Sequence, residues 1–323
     1  MHSLESGRLK KFHYCKPGTL TPNQRHALTI KHIKDSAADL VLLQELDSAS
    51  IGALEAGNPM LTRANISLNE SLPSKDGVGI FVNLERFQIL DSKTLRFSTV
   101  LDKHVPTLGQ RARSDQSPIS LTRALYREVR EKMNLAVLVK LKDVVNQREL
   151  VACSSHLFWD PGYPDIKLIQ AYLLGQEVLE YAGGLPAVVG ADLNSVPHSS
   201  AVYELLMGSG TVAKSHAEHP VTFRSNPNNK LLEPVDSGAV PGLHLAGPSF
   251  VSAFQHLTGR EPEFTNYTGK FKGCLDYVMT RNFEPISARP LPEESELASE
   301  TALPNSRWPS DHLPLVVDLD YAS

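Results

Sequence analysis

A chain of 323 residues, 41% of them hydrophobic, is long enough to bury a sizeable core. Its formal net charge of −4 argues against a broad basic surface for holding long nucleic acid. It leaves room for an acidic cleft that receives a divalent cation and, through it, a phosphate.

Cys15, Cys153 and Cys274 lie far apart with no metal-binding spacing, which fits buried thiols in a reducing compartment. No apolar run is long enough to span a bilayer, and no signal peptide is visible. The opening MHSLESGRLKK is basic but short for a transit peptide. No composition break divides the chain, so residues 1–323 are read as one domain.

Thr21–Asp39 reads as a surface helix with Pro22 in its first turn and Leu28, Ile30 and Ile33 as its apolar positions. Leu40–Leu43 is a buried strand that runs into Gln44 and Glu45. A carboxylate straight after four aliphatics is costly to bury unless a cation or hydrogen-bond donors meet it; a solvated loop acid is the plain alternative. Ser48–Asp76 is expected to be polar and irregular. Gly77–Val82 is a strand, and Phe87–Leu90 and Thr94–Phe97 are two short ones. Asp102–Gln116 is expected to be a long loop, whose Lys103, Arg111 and Arg113 either meet a phosphate backbone or are ordinary solvated surface. Asn134–Val144 pairs with Glu149–Ser154.

His156 ends a strand, Phe158-Trp159-Asp160-Pro161 forms an aromatic loop, and Ile166–Tyr181 is a helix turning Ile166, Ile169, Leu173 and Leu174 inward. A histidine there is more often a packing residue, but the Trp-Asp-Pro that follows places it at a cleft edge. Ala187–Val189 is a short core strand that passes through Gly190 and delivers Asp192 and Asn194 at its far end. Two apart on extended backbone, these side chains share a face; an Asx turn closing the strand is the bland alternative. Ser199–Met207 is a helix opened by serine and closed by Gly208, and residues 209–249 give no clear pattern. Cys274–Met279 is a strand with Asp276 in its middle, either paired or functional. Glu293, Glu294 and Glu296 fall in a loop, and Ser310-Asp311-His312 precedes a last strand, Leu315–Leu319. A carboxylate beside His312 would favour the charged imidazole.

Strand ends carrying Glu45, His156, Asp192, Asn194, Asp276 and His312 describe one cleft at the edge of a layered α/β structure. Such a set suits phosphodiester hydrolysis: carboxylates for Mg²⁺, an Asp to activate water, and His and Asn donors for the phosphoryl oxygens.

The order LQEL, SSHLFWDP, DIKLIQ, GADLNSVP, FTNYTGKFKGCLDYV and SDHLPL resembles the endonuclease/exonuclease/phosphatase superfamily over roughly residues 14–320. Within it the chain is similar to the deadenylase branch of carbon-catabolite-repressor type nucleases, nocturnin and angel proteins, and above all to the 2′,5′-phosphodiesterase. The resemblance implies a four-layer αββα sandwich of two mixed sheets between helices. It makes Glu45 the ligand of Mg²⁺, with Mn²⁺ as the alternative ion. It puts His156 on the scissile phosphate, Asp192 on the nucleophilic water and Asn194 on a phosphate oxygen. Asp276 and His312 complete the phosphate and metal shell, with Asp311 adjacent. Pro161 and Phe271 would sandwich the terminal base, with Asn266 also on the substrate; a core aromatic is the plain alternative for Phe271. Family members begin with a strand carrying Asn-x-Leu-Ala ahead of a segment like Phe12-His13-Tyr14-Cys15. Here that first strand is expected to be missing, and the stretch from Leu46 to Gly77 is shorter and less aromatic than the family's.

The activity expected is removal of adenylates from an RNA 3′ end, or cleavage of 2′,5′-linked oligoadenylate, with release of 5′-AMP. The alternatives are a phosphatase acting on a nucleotide cofactor, and a nucleotide- or RNA-binding protein without turnover. The resemblance suggests mitochondria, with the cytoplasm close behind.

Overall fold

The computed structural model describes residues 11–69, 76–104, 121–229 and 242–322. The N-terminal half holds α1 (Pro22–Ser36), β1 (Leu40–Leu46), α2 (Ser48–Gly57), β2 (Leu61–Leu68), β3 (Gly77–Asn83), β4 (Phe87–Arg96), α3 (Phe97–His104), α4 (Leu121–Glu131), β5 (Leu135–Asp143) and β6 (Arg148–His156). Then follow α5 (Pro164–Ala182), β7 (Ala187–Asp192), α6 (Ala201–Met207), β8 (Thr211–Val212), α7 (Pro220–Ser225), β9 (Leu243–His244), β10 (Val251–Ser252) and α8 (Ala253–Thr258). The chain continues through β11 (Asn266–Tyr267), β12 (Lys272–Gly273), β13 (Asp276–Arg281), β14 (Phe283–Ala288), α9 (Glu294–Ala298) and β15 (Val317–Tyr321).

The larger sheet runs β10-β13-β7-β6-β5-β4 and is mixed, because β6 and β7 are parallel and joined through α5 while its other pairs are antiparallel. A smaller antiparallel sheet runs β1-β3-β2, and β14 pairs with β15. Period-two burial assigns the layers. Along β5, Ala136 and Leu138 face the core beneath α5, whereas Val137, Val139 and Leu141 face the core between the sheets. Val151 and Cys153 against Leu150 and Ala152 repeat this on β6, as Val189 against Val188 does on β7. On β1, Leu40 and Leu42 join the intersheet core, while Val41 and Leu43 pack with Ile30 and Ile33 of α1 and Ile51 and Leu54 of α2. The layers are therefore helix, sheet, sheet, helix, the α/β sandwich that the resemblance implies, except that among the described residues the smaller sheet is antiparallel and not mixed.

At Gly190 the two sheets come close enough that a Cβ would sit 2.8 Å from the Leu42 side chain. Gln44 tightens the same joint by donating to Ser154 Oγ (2.9 Å) and to the Gly190 carbonyl (3.2 Å). A cavity of about 820 Å³ opens between β1, β7, β14 and β15; its lining includes the apolar Leu40, Leu42, Val188, Phe283 and Leu319 and the polar Glu45, Asp192, Asp276 and His312.

Several elements differ from the sequence reading. Ser48–Asp76 is not irregular: Asp47 caps α2 by accepting from Ser50 N–H (2.7 Å), and β2 follows. The two short strands at 87–97 are one, β4, with a register shift between Ile89 and Asp91 that hides the alternation. Lys103 lies in α3 rather than a loop and binds Glu177 (2.7 Å) and Glu180 (2.5 Å) instead of facing a phosphate; Arg111 and Arg113 lie outside the described residues. Asp276 opens β13 rather than sitting mid-strand. Glu293 caps α9 in a capping box with Glu296, so that acidic stretch is helical.

Candidate active site

Backbone register sets the centre of the site. His156 on β6 and Asp276 on β13 are the direct neighbours of Asp192 on β7, so three candidate site residues stand on adjacent strands about 4.8 Å apart. His312 arrives from the C-terminal segment, held by a bridge to Asn266 and by Leu313 N–H donating to the Thr265 carbonyl (2.7 Å).

Asp192 Oδ1 accepts the Asn194 N–H at 2.9 Å, while Oδ2 lies 3.5 Å from His156 Nε2 and 3.8 Å from His312 Nε2. Burial and the nearby Asp276 charge push the Asp192 carboxyl up to about 6, against the pull of the two imidazoles and the Asn194 N–H. His312 Nδ1 sits 2.7 Å from Asp276 Oδ2. Burial disfavours the charged ring, but the charge and hydrogen bond of Asp276 outweigh it and raise the imidazole well above its ordinary value. Asp311 is tied to Lys11 at 3.1 Å. Burial would lift that carboxyl, yet the His312 and Lys11 charges hold it below its usual range.

Asn194 departs from the expectation of a shared face. Its backbone is left-handed (φ 47°), its Nδ2 donates to the Leu157 carbonyl (3.0 Å), and its own carbonyl accepts from Lys167 Nζ (2.7 Å). The Asx turn and the approach to the two imidazoles therefore coexist, one on each oxygen of Asp192. Glu45 is exposed and also left-handed (φ 55°), at the register shift between Leu43 and Leu46. That conformation costs a non-glycine residue about 1–3 kcal/mol, and Glu45 lines the same cavity as Asp192 and Asp276. Phe271 is 42% exposed in the turn between β11 and β12, which removes its core alternative, and Pro161 is exposed on the loop after β6. Asn266 is buried, and its backbone holds His312.

Three supporting residues were not foreseen. The Thr265 hydroxyl accepts Leu275 N–H (2.9 Å) and Asp276 N–H (3.0 Å), leaving its proton for Asp276 Oδ2 (2.6 Å). Asn134 Nδ2 donates to the His156 carbonyl (3.0 Å), and Gln170 bonds both Asn134 Oδ1 (3.1 Å) and Phe158 N–H (2.8 Å). No spacing betrays them, since each acts through tertiary contact.

Ligand atoms of Asp192, Asp276 and His312 lie within 4.8 Å of one another. Two carboxylates crowded beside one another, the Asp276 charge lifting the buried Asp192 carboxyl, with Glu45 lining the same cavity, form an electron-rich set that a divalent cation would relieve, so the residues fit such an ion. A second group, His104, Glu177 and Glu180, already has Lys93 and Lys103 on its acids.

A model of the Endonuclease/Exonuclease/phosphatase family matches residues 14–312. The mouse (Mus musculus) 2′,5′-phosphodiesterase 12 is 27% identical over 326 residues, covering 98% of this chain and 49% of that protein. The Aspergillus niger CCR4-Not complex 3′-5′-exoribonuclease subunit Ccr4 is 25% identical over 346 residues, covering 95% and 48%. The chain thus spans about half the length of these relatives. Among solved structures, ANGEL2, a 2′,3′-cyclic phosphatase in complex with adenosine-2′,3′-vanadate, superposes with a TM-score of 0.73 at 20% identity, covering 98% of this chain and 92% of that one.

Proposed function

This chain belongs to the endonuclease/exonuclease/phosphatase family, and from that premise we propose that it is a Mg²⁺-dependent 3′-exonuclease of oligoadenylate, acting on 2′,5′-linked chains or RNA tails and releasing 5′-AMP. The observation that carries this reading is the buried Asp192, in register between His156 and Asp276 with its carboxyl near neutrality. A carboxylate so poised is matched to taking a proton from water near pH 7. Water held by Asp192 attacks phosphorus, the bond to the leaving 2′- or 3′-oxygen breaks, and the phosphate stays on the 5′-oxygen of the released nucleotide. His312, kept protonated by Asp276, donates to a phosphoryl oxygen, with His156 beside it. Glu45, with Asp276, would hold Mg²⁺ or Mn²⁺, which would supply Lewis-acid stabilisation of the phosphoryl charge.

The mouse relative's name favours the 2′,5′ linkage and the Aspergillus relative's the 3′,5′ linkage. A nucleotide phosphatase is the second reading, favoured by ANGEL2 being a cyclic phosphatase seen with an adenosine ligand. Product analysis on 2′,5′- and 3′,5′-linked oligoadenylate side by side, with Mg²⁺ and with chelator, tests the proposal. Metal-dependent AMP from either substrate supports it. Release of inorganic phosphate from a mononucleotide, with both oligomers intact, favours the phosphatase.

A further inference from the structure

Trp159 is 67% exposed, on a loop that is otherwise locked. Beneath it, Phe158 packs on the main core and meets the Tyr163 ring at 5.8 Å. The Lys132 ammonium lies over both rings, at 4.5 and 4.8 Å. Asp160 closes the turn, its Oδ1 accepting Gly162 N–H (2.8 Å) and its carbonyl Tyr163 N–H (3.2 Å). Gln170 and Asn134 fix the stem through Phe158 N–H and the His156 carbonyl. Among the described residues the indole's ring neighbour is Phe158, in a tilted approach at 6.1 Å. A rigid stem carrying an uncovered ring is a preorganised stacking surface, because little conformational freedom is left to lose on binding.

Topology says what stacks there. Among the described residues, Trp159 and Phe271 are the aromatics in the set of exposed large hydrophobic side chains. Trp159 lies three residues past His156 at the end of β6, and Phe271 five residues before Asp276 at the start of β13. Strands β6 and β13 flank β7, so the two rings are carried on the connections either side of the strand that ends in Asp192. Phe271, exposed on the β13 side, is the ring available to the released base, which leaves the indole on the β6 side for the next one.

We propose that Trp159 stacks on the base of the nucleotide across the scissile phosphate, the one that departs with the free 2′- or 3′-hydroxyl. The inference rests on the phosphodiesterase reading above. It makes a phosphodiester with a base on both sides the preferred substrate. Stacking of this kind tolerates any base, so the leaving nucleotide need not be adenylate.

The chain has two tryptophans, and the other, Trp308, stacks on His32 at 4.5 Å. Trp308→Phe keeps a ring there and leaves Trp159 as the sole indole. With chelator present to prevent turnover, titration of that variant with 2′,5′-linked adenylyl-adenosine should quench its fluorescence saturably, whereas the methyl ester of AMP should not. In cleavage assays Trp159→Ala should lose about 5- to 100-fold in kcat/KM on the dinucleotide. It should match the parent on the methyl ester, and Trp159→Phe should retain most of the activity. An indole unmoved by the dinucleotide, or an equal loss on both substrates, overturns the proposal. Quenching without cleavage of any substrate would instead sustain the stacking site and strike down the hydrolysis reading.

Discussion

Replacing Asp192 with asparagine should make the metal-free protein more stable while removing its activity. The folded carboxyl is raised from 3.8 to about 6, and a shift of about 2 units corresponds to about 3 kcal/mol. For a raised acid the sign is fixed: the stability contribution is fully present below about pH 3.8 and is lost as pH rises through about 6. At pH 7 in chelator the wild type therefore carries a buried, crowded negative charge costing about 3 kcal/mol. Asparagine removes the charge and keeps an acceptor for the Asn194 N–H, which now bonds Oδ1 at 2.9 Å. Urea unfolding from pH 4 to 7.5 should show Asp192→Asn ahead by a margin approaching that value at pH 7 and shrinking towards pH 4. Adding divalent cation should close the gap by stabilising the charged wild type. Turnover should fall by about 10²–10⁴-fold with loss of the base. A variant no more stable than wild type at pH 7, or a margin that ignores pH, would refute the electrostatic account of this residue.

Other residues give independent tests. Thr265→Val removes the donor to Asp276 and orphans two N–H groups; it should lower kcat and cost about 1–3 kcal/mol in denaturant unfolding, and Thr265→Ser should restore both. Burial works against the Glu177 charge, but hydrogen bonds from Lys103, Lys93 and His104 outweigh it and hold the carboxyl at about 2. Glu177→Gln should therefore cost about 3 kcal/mol near neutrality, a deficit that fades as pH falls from 4.5 towards 2. Glu45→Gln should raise the Mg²⁺ concentration needed for half-maximal turnover while leaving the thermal midpoint in chelator unchanged or higher, since the left-handed acid contributes no packing. Leu138→Ala, fully buried under α5, should cost about 2–5 kcal/mol without altering kcat per folded molecule in an active-site titration.

Much of this was legible in the chain because buried strands announce themselves as short aliphatic runs and polar residues directly after them are conspicuous. Leu40–Leu43 with Glu45, and Ala187–Val189 with Asp192, are such cases, and the register that joins His156, Asp192 and Asp276 follows once those strands pair. Local features that break periodicity were lost: the bulge in β4, the Asp47 cap of α2 and the capping box of α9 each look like polar loop in one dimension. Tertiary partners were lost for a different reason. Thr265 is an ordinary threonine until its hydroxyl meets Asp276, and Arg224, fully buried between Asp165 (2.5 Å) and Glu128 (2.8 Å), falls in a stretch with no readable period. Asn194 shows the opposite failure, for its spacing was read as extended when the backbone had already turned.

The most direct test is a single turnover on 2′,5′- or 3′,5′-linked oligoadenylate in ¹⁸O-labelled water with Mg²⁺, followed by mass analysis of the products. Attack by water held at Asp192 on phosphorus predicts one ¹⁸O in the phosphate of the released 5′-AMP, and no label in the sugar hydroxyl of the remaining chain. Unlabelled AMP, a cyclic phosphate, or label in the sugar hydroxyl would contradict it.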